Sequence, residues 1–275
     1  MDISAGVDRA GTAAGHAGPL DQSALAVGGW LNTHRGLASL VRIDLRRVDG
    51  QLTARLFWMG DPVPAPSDTV PIKDVYVDAG DARKAVAFAT RHWFGPVRCD
   101  LQVNMTFGLM VAAAFVRFPQ GSSRTDYFTR AFLYHSGFDV EAHSISEAER
   151  TASVVHQYYP PADVKQLTGT WTNTNHASTG VVQYVVGARG RHVTCRAIEA
   201  GHPASGDWGE AAGHVYGKGN EAQEPMIFTA SFDTADREIG IQAKLNQGLL
   251  VVAHFYKYKG GDRPDSYARE LYYKA

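Results

Sequence analysis

Cysteine is nearly missing from this 275-residue chain: Cys99 and Cys195 are its only two, far apart and without metal-ligand spacing. That excludes a disulfide scaffold and suits a reducing compartment. Long apolar runs are missing too. The longest, residues 109–116, falls well short of the ~20 residues that a membrane-spanning helix needs. At the N-terminus no basic segment precedes an apolar one, so no secretion signal is read and a cytoplasmic setting is expected. Charge of one sign is also lacking: 27 Lys and Arg stand against 28 Asp and Glu, a net charge of −1. Such a balance speaks against nucleic acid or an anionic membrane as partner. The motifs C-x-x-C, H-E-x-x-H, G-x-S-x-G and the phosphate-binding loop are absent. The eleven His form no pair at ligand spacing, so neither a metal nor a cofactor is expected.

What the chain does contain is repetition. Gly28-Gly29-Trp30-Leu31-Asn32-Thr33 returns as Gly169-Thr170-Trp171-Thr172-Asn173-Thr174, an offset of 171 − 30 = 141. Arg55 returns as Arg196, Gly108-Leu109-Met110-Val111 as Gly248-Leu249-Leu250-Val251, and Phe115 as Phe255, at offsets of 140 or 141. Asp126 to Arg130 returns as Asp265 to Arg269, at 139. A nearly constant offset over five blocks reads as a tandem duplication.

Within each unit the pattern is that of strands. Residues 40–45 alternate with the period of two of a half-buried strand. Val-, Thr-, Tyr- and Phe-rich segments recur every ten residues or so, split by turns such as Asp49-Gly50. The fold class expected is all-β: two antiparallel, roughly eight-stranded barrels packed as a pseudo-dimer. The expected divisions are a flexible leader (1–24), barrel 1 (25–136), a linker with a short helix capped by Ser146-Glu147-Ala148-Glu149 (137–165) and barrel 2 (166–275). Two strands, 108–118 and 248–255, are apolar on both faces. One face fills a barrel, so the other is expected to meet the second barrel.

Gly28-Gly29-Trp30 and Gly169-Thr170-Trp171 both fit G-x-W at a strand start, with Arg130 and Arg269 on the last strand of each unit. This resembles the calycins, the superfamily of lipocalins, fatty-acid-binding proteins and avidins. The resemblance implies a Trp that closes the barrel end and a late Arg stacked on it. Gly169-Thr170-Trp171-Thr172-Asn173 also resembles the first strand of avidins, which implies a ligand-facing Asn173. The other Trp-rich strands of avidins have no counterpart, so biotin binding does not follow. Residues 201–210, with His202-Pro203 and Asp207-Trp208-Gly209, resemble a loose set of bacterial β-proteins whose flanking Cys are here Gly201 and Gly206.

Residues common to both units read as scaffold, and residues that differ as the place for function. The first unit is rich in aromatics and thioethers, and Trp58, Trp93, Met105 and Phe107 are candidates for the wall of an apolar cavity; the alternative is a barrel filled by its own side chains. Arg55 and Arg196 sit mid-strand: pointing inward they need a carboxylate or a ligand anion, pointing outward they are solvated. In the second unit Asp207, Glu210 and His214 offer two carboxylates and a His for acid–base work, or merely an Asp-held turn. His254 stands where the first unit has Ala114, inside an apolar strand. The function expected is binding of a small, largely apolar molecule or an extended peptide in a barrel cavity. The alternative is a cofactor-free cyclase, isomerase or hydratase of a natural-product pathway, which needs an isolated ionisable group on an apolar inner wall. Self-association stays open.

Overall fold

The computed structural model describes residues 21–23, 25–34, 40–59, 66–78, 81–122, 124, 126–137, 164–189, 192–201, 206–218, 227–260 and 263–275. The helix expected after Ser146 and most of the expected leader lie outside the described residues. The chain is tied to the sheet earlier than position 25: Asp21 exchanges backbone hydrogen bonds with Arg83 and Ala85 (2.7 and 2.8 Å).

The described residues form an all-β fold. The strands are β1 Gly28–Asn32, β2 Leu40–Val48, β3 Gln51–Trp58, β4 Val70–Pro71, β5 Asp74–Asp78, β6 Asp81–Phe94, β7 Val97–Thr106, β8 Leu109–Arg117 and β9 Tyr127–Gly137. After a single 3-10 turn (Val164–Gln166) come β10 Gly169–Asn173, β11 Val181–Arg189, β12 His192–Glu199, β13 Asp207–Lys218, β14 Ile227–Asp233, β15 Arg237–Asn246, β16 Leu249–Tyr258 and β17 Ser266–Lys274. Sequential strands pair antiparallel, as tight turns dictate. The turns after β7 and β15 are two-residue loops, Phe107-Gly108 and Gln247-Gly248, with positive φ at both positions (49° and 78°, 49° and 82°). That geometry matches the right-handed twist of the flanking strands.

The pairings close into a barrel. From β10 to β17 each strand pairs with the next, and β17 pairs back to β10. From β1 to β9 the same circuit runs, with β9 paired to β1. Here the fourth place is shared: β4 pairs with β3, and β5 with β6. The long β13 fills the matching place alone, pairing with β12 through one part and β14 through the other.

Both circuits are built on the same locks. Trp30 and Trp171 are buried and donate their indole N–H to the carbonyls of Ala26 (3.0 Å) and Leu167 (2.8 Å). Asn32 and Asn173 donate to the carbonyls of Leu40 and Val181 (2.8 Å each) and accept from the backbone N–H of His34 and Asn175 (2.9 Å each). The late-strand groups on the two Trp are His135, in edge contact at 5.0 Å, and Lys274, with Nζ 5.5 Å from the ring centroid. The expected stacking of Arg130 and Arg269 on the Trp is therefore corrected. Both lie on the outer face of their strands, beside Phe128 and Tyr267. The Gly of G-x-W makes room for the real partners: a Cβ on Gly28 would lie 2.4 Å from His135, and one on Gly169 2.8 Å from Lys274.

β8 and β16 are covered on both faces, as their apolar character predicts. Leu250, Val252 and Tyr256 face one core, while Ala253 and Phe255 pack on Tyr76 and Ala87 of the other circuit. The reciprocal cluster is Ala113, Phe115, Tyr216, Ile227 and Phe128. Strands of the two circuits also meet in short parallel pairs, Gly217 with Tyr127 and Val77 with Ser266. Gln242 donates its amide to Gln102 Oε1 (3.3 Å), a bond between residues 140 apart in sequence.

Candidate functional site

The alternation of β16 sends its even-numbered residues into the β10–β17 interior, and His254 goes with them, fully buried. Its Nε2 is hydrogen-bonded to the Tyr184 hydroxyl (2.7 Å). Its Nδ1 makes no hydrogen bond and lies 3.9 Å from Glu270 Oε2. Burial pulls the imidazole down to about 4, against the opposing pull of Glu270, so it is neutral at pH 7. Glu270 is fixed by its neighbours: Asn173 and Ser178 donate to Oε1 (3.0 and 2.8 Å), and Tyr272 donates to Oε2 (2.9 Å).

A second charged pair stands beside the first. Arg237 binds Glu199 (2.5 Å), which also accepts from the Trp208 indole (3.3 Å). The guanidinium lies over the rings of Trp208 and Tyr256, and Tyr256 stacks on His254 with centroids 5.6 Å apart. Burial, aided by the Glu270 and Glu199 carboxylates, pushes the Tyr256 phenol up. Arg237 Nε is buried without a hydrogen bond, with Asp236 at 3.7 Å. Among the described residues, only Arg237 Nε and His254 Nδ1 are buried side-chain polar atoms left without a partner. Both belong to side chains in contact with the Tyr256 ring.

Strand register also gives the residues that stand at the matched places of the other circuit. Strand registers place Trp30 opposite Ile43 and Trp171 opposite Tyr184, Leu40 opposite Trp58 and Val181 opposite Glu199. By the same matching, His254, Glu270, Tyr256 and Arg237 correspond to Ala114, Ala131, Val116 and Val97. All six places are apolar in one circuit and carry the polar cluster in the other.

Other candidates fall elsewhere. Asn173 does bond Glu270, but its turn-locking role recurs in Asn32, so it is scaffold first. Arg55 and Arg196 point outward: Arg55 donates to the Ser67 carbonyl (3.2 Å), and Arg196 is paired with Asp207 at the surface. Asp207 accepts from the Gly209 backbone N–H (2.9 Å), which is the Asp-held turn, and Arg196 pulls its carboxyl down to about 2. Glu210 is exposed, and His214 turns to Asp126 of β9's approach (2.9 Å). Asp207, Glu210 and His214 thus do not converge. In the first circuit Trp58 is buried against Phe94 and Met105 packs at the core edge. Trp93 is 53% exposed, and Phe107 is fully exposed at its turn tip, so neither lines an interior. His202-Pro203 lies outside the described residues.

Tyr184, Glu199, Arg237, Tyr256 and Glu270 were missed by sequence reasoning. The available signal was the contrast between units that singled out His254 against Ala114, carried to every inward position. The fold and site define a closed antiparallel β-barrel with a polar cluster on an aromatic inner wall. No family model, curated protein or solved structure matches the chain.

Proposed function

We propose that the chain is a tandem pair of eight-stranded, calycin-like barrels, and that the second binds a small molecule with a largely apolar body and one hydrogen-bond acceptor. The duplication is supported by the repeated Trp and Asn locks and by the two reciprocal contact clusters between circuits. The observation that carries the binding reading is the contrast at six matched positions. A scaffold that folds with Ile43, Trp58, Val97, Ala114, Val116 and Ala131 has no folding need for Tyr184, Glu199, Arg237, His254, Tyr256 and Glu270. Burying charge is costly even when it is paired. Arg237 Nε–H lacks an acceptor, and a ligand carbonyl would supply one. The aromatic rings supply the apolar contact.

Prodan, a neutral naphthalene with one ketone, is a suitable probe. Wild-type protein is expected to bind it saturably with a blue-shifted emission, and Arg237→Met to weaken binding at least about tenfold, the worth of one good hydrogen bond to a charged donor. Equal binding by the Arg237→Met variant overturns the reading.

The His254–Glu270 approach also favours the second reading, an acid–base enzyme of the isomerase kind. A neutral buried imidazole can take a proton from the carbon beside a bound ketone, leaving an enolate beside Arg237, and return it. The check is exchange of those carbon-bound protons of prodan for solvent deuterium. Faster exchange in wild type than in His254→Asn supports catalysis; equal rates leave binding alone.

A further inference from the structure

The neutral imidazole of His254 has one proton to place on two nitrogens, and the surroundings of the two differ. Nε2 lies 2.7 Å from the Tyr184 hydroxyl. Nδ1 makes no hydrogen bond and faces Glu270 Oε2 at 3.9 Å. Glu270 is held where it is, because Asn173 and Ser178 donate to one of its oxygens and Tyr272 to the other. With donors on both oxygens it acts as an acceptor alone, as an ionised carboxylate does.

A proton on Nε2 carries two penalties. Nε2–H then donates to the Tyr184 oxygen, and the Nδ1 lone pair faces a carboxylate, which repels it. The Tyr184 O–H is also stranded: the ring is fully buried, and among the described residues the hydroxyl has no hydrogen-bond partner besides His254. A proton on Nδ1 removes both penalties at once. Tyr184 donates to Nε2, and the positive end of Nδ1–H faces Glu270.

We infer that Tyr184 and Glu270 are positioning residues that fix His254 with its proton on Nδ1 and its lone pair on Nε2. The use of this arrangement rests on the acid–base reading above; the arrangement itself does not. In that use Nε2 is the basic nitrogen, reached through the Tyr184 hydroxyl. A proton handed to the Tyr184 oxygen sends the hydroxyl's own proton to Nε2. One O–H bond forms, one breaks and one N–H bond forms, while the electron pair stays with the proton's donor. The resulting imidazolium lies beside Glu270, which stabilises the charge that burial disfavours.

The test is long-range proton–nitrogen NMR of the full chain with isotope-labelled histidine, without ligand and at neutral pH. Of the eleven histidines, His254 is the one whose signals are missing in His254→Asn. Wild type is expected to show a protonated Nδ1 and a lone-pair Nε2. In Glu270→Gln the amide keeps its oxygen on Asn173 and Ser178 and turns its NH2 toward Nδ1, so the proton should move to Nε2. In Tyr184→Phe the proton should stay on Nδ1, with the Nε2 resonance shifted downfield by the loss of its hydrogen bond. Near-UV circular dichroism matching wild type shows that a variant is folded, and the wild-type spectrum decides alone where one is not. A proton on Nε2 in wild type, the wild-type tautomer in folded Glu270→Gln, or an unmoved Nε2 signal in folded Tyr184→Phe overturns the inference. Deuterium exchange into prodan tests the acid–base reading separately.

Discussion

At the scale of single residues, the same physical solution appears twice wherever the fold depends on it. A buried indole must place its N–H, and Trp30 and Trp171 place it four residues back in the chain. Trp171→Ala removes a fully buried ring and the N–H that binds the Leu167 carbonyl, and should cost about 3–5 kcal/mol in denaturant unfolding. Full stability with lost ligand binding would instead make Trp171 a site residue. Phe107 is the opposite case. It is a bulky residue with φ of 49° at a turn tip, touching solvent on all sides. Asn adopts that conformation more readily, so Phe107→Asn should stabilise by up to about 1 kcal/mol, read as a raised denaturation midpoint. An unchanged or lowered midpoint would show that the phenyl ring contributes to the fold.

Elements were legible where pattern alone decides them. β8 and β16 announced two buried faces by lacking alternation, and each does face a core on one side and the neighbouring circuit on the other. Phe255→Asp would put a carboxylate among Tyr76, Ala87 and Tyr267. It should destabilise the chain by about 3 kcal/mol or more in urea unfolding, through lost burial and an unpaired charge; a change below 1 kcal/mol would mean that this face is not tightly packed. The sharing of one place between β4 and β5 was not legible, because Pro71 reads as a turn until its pairing with Thr53 is seen. The site was hidden for a related reason. A period of two tells that residues share a face but not which face is inner, so Arg55 and Arg196 could not be assigned. The offset drifts from 141 at Arg55 and Arg196 to 139 at Asp126 and Asp265, so one fixed shift misaligns part of the chain. Only true register shows that Glu199 answers Trp58 and Glu270 answers Ala131.

For the whole molecule, two fully buried histidines set the response to acid. His92 bonds Ser67 Oγ (3.0 Å) and Thr90 Oγ1 (2.9 Å), and burial pulls it, like His254, from 6.5 down to about 4. The unfolded chain therefore binds these protons first, and stability rises with pH between 4 and 6.5. As the pH falls from 7 toward 4, up to roughly 3 kcal/mol per histidine is lost. Urea midpoints should fall through that window, and less steeply in His254→Phe; a flat profile would mean that the histidines are not buried in solution. The polar cluster itself is the central claim, and tryptophan emission during prodan titration reports on it most directly. Trp208 lies against Arg237, whereas Trp58 packs against Phe94 in the other circuit. Quenching should persist in Trp58→Phe and be largely lost in Trp208→Phe; quenching that instead vanishes with Trp58 and survives without Trp208 would contradict the account.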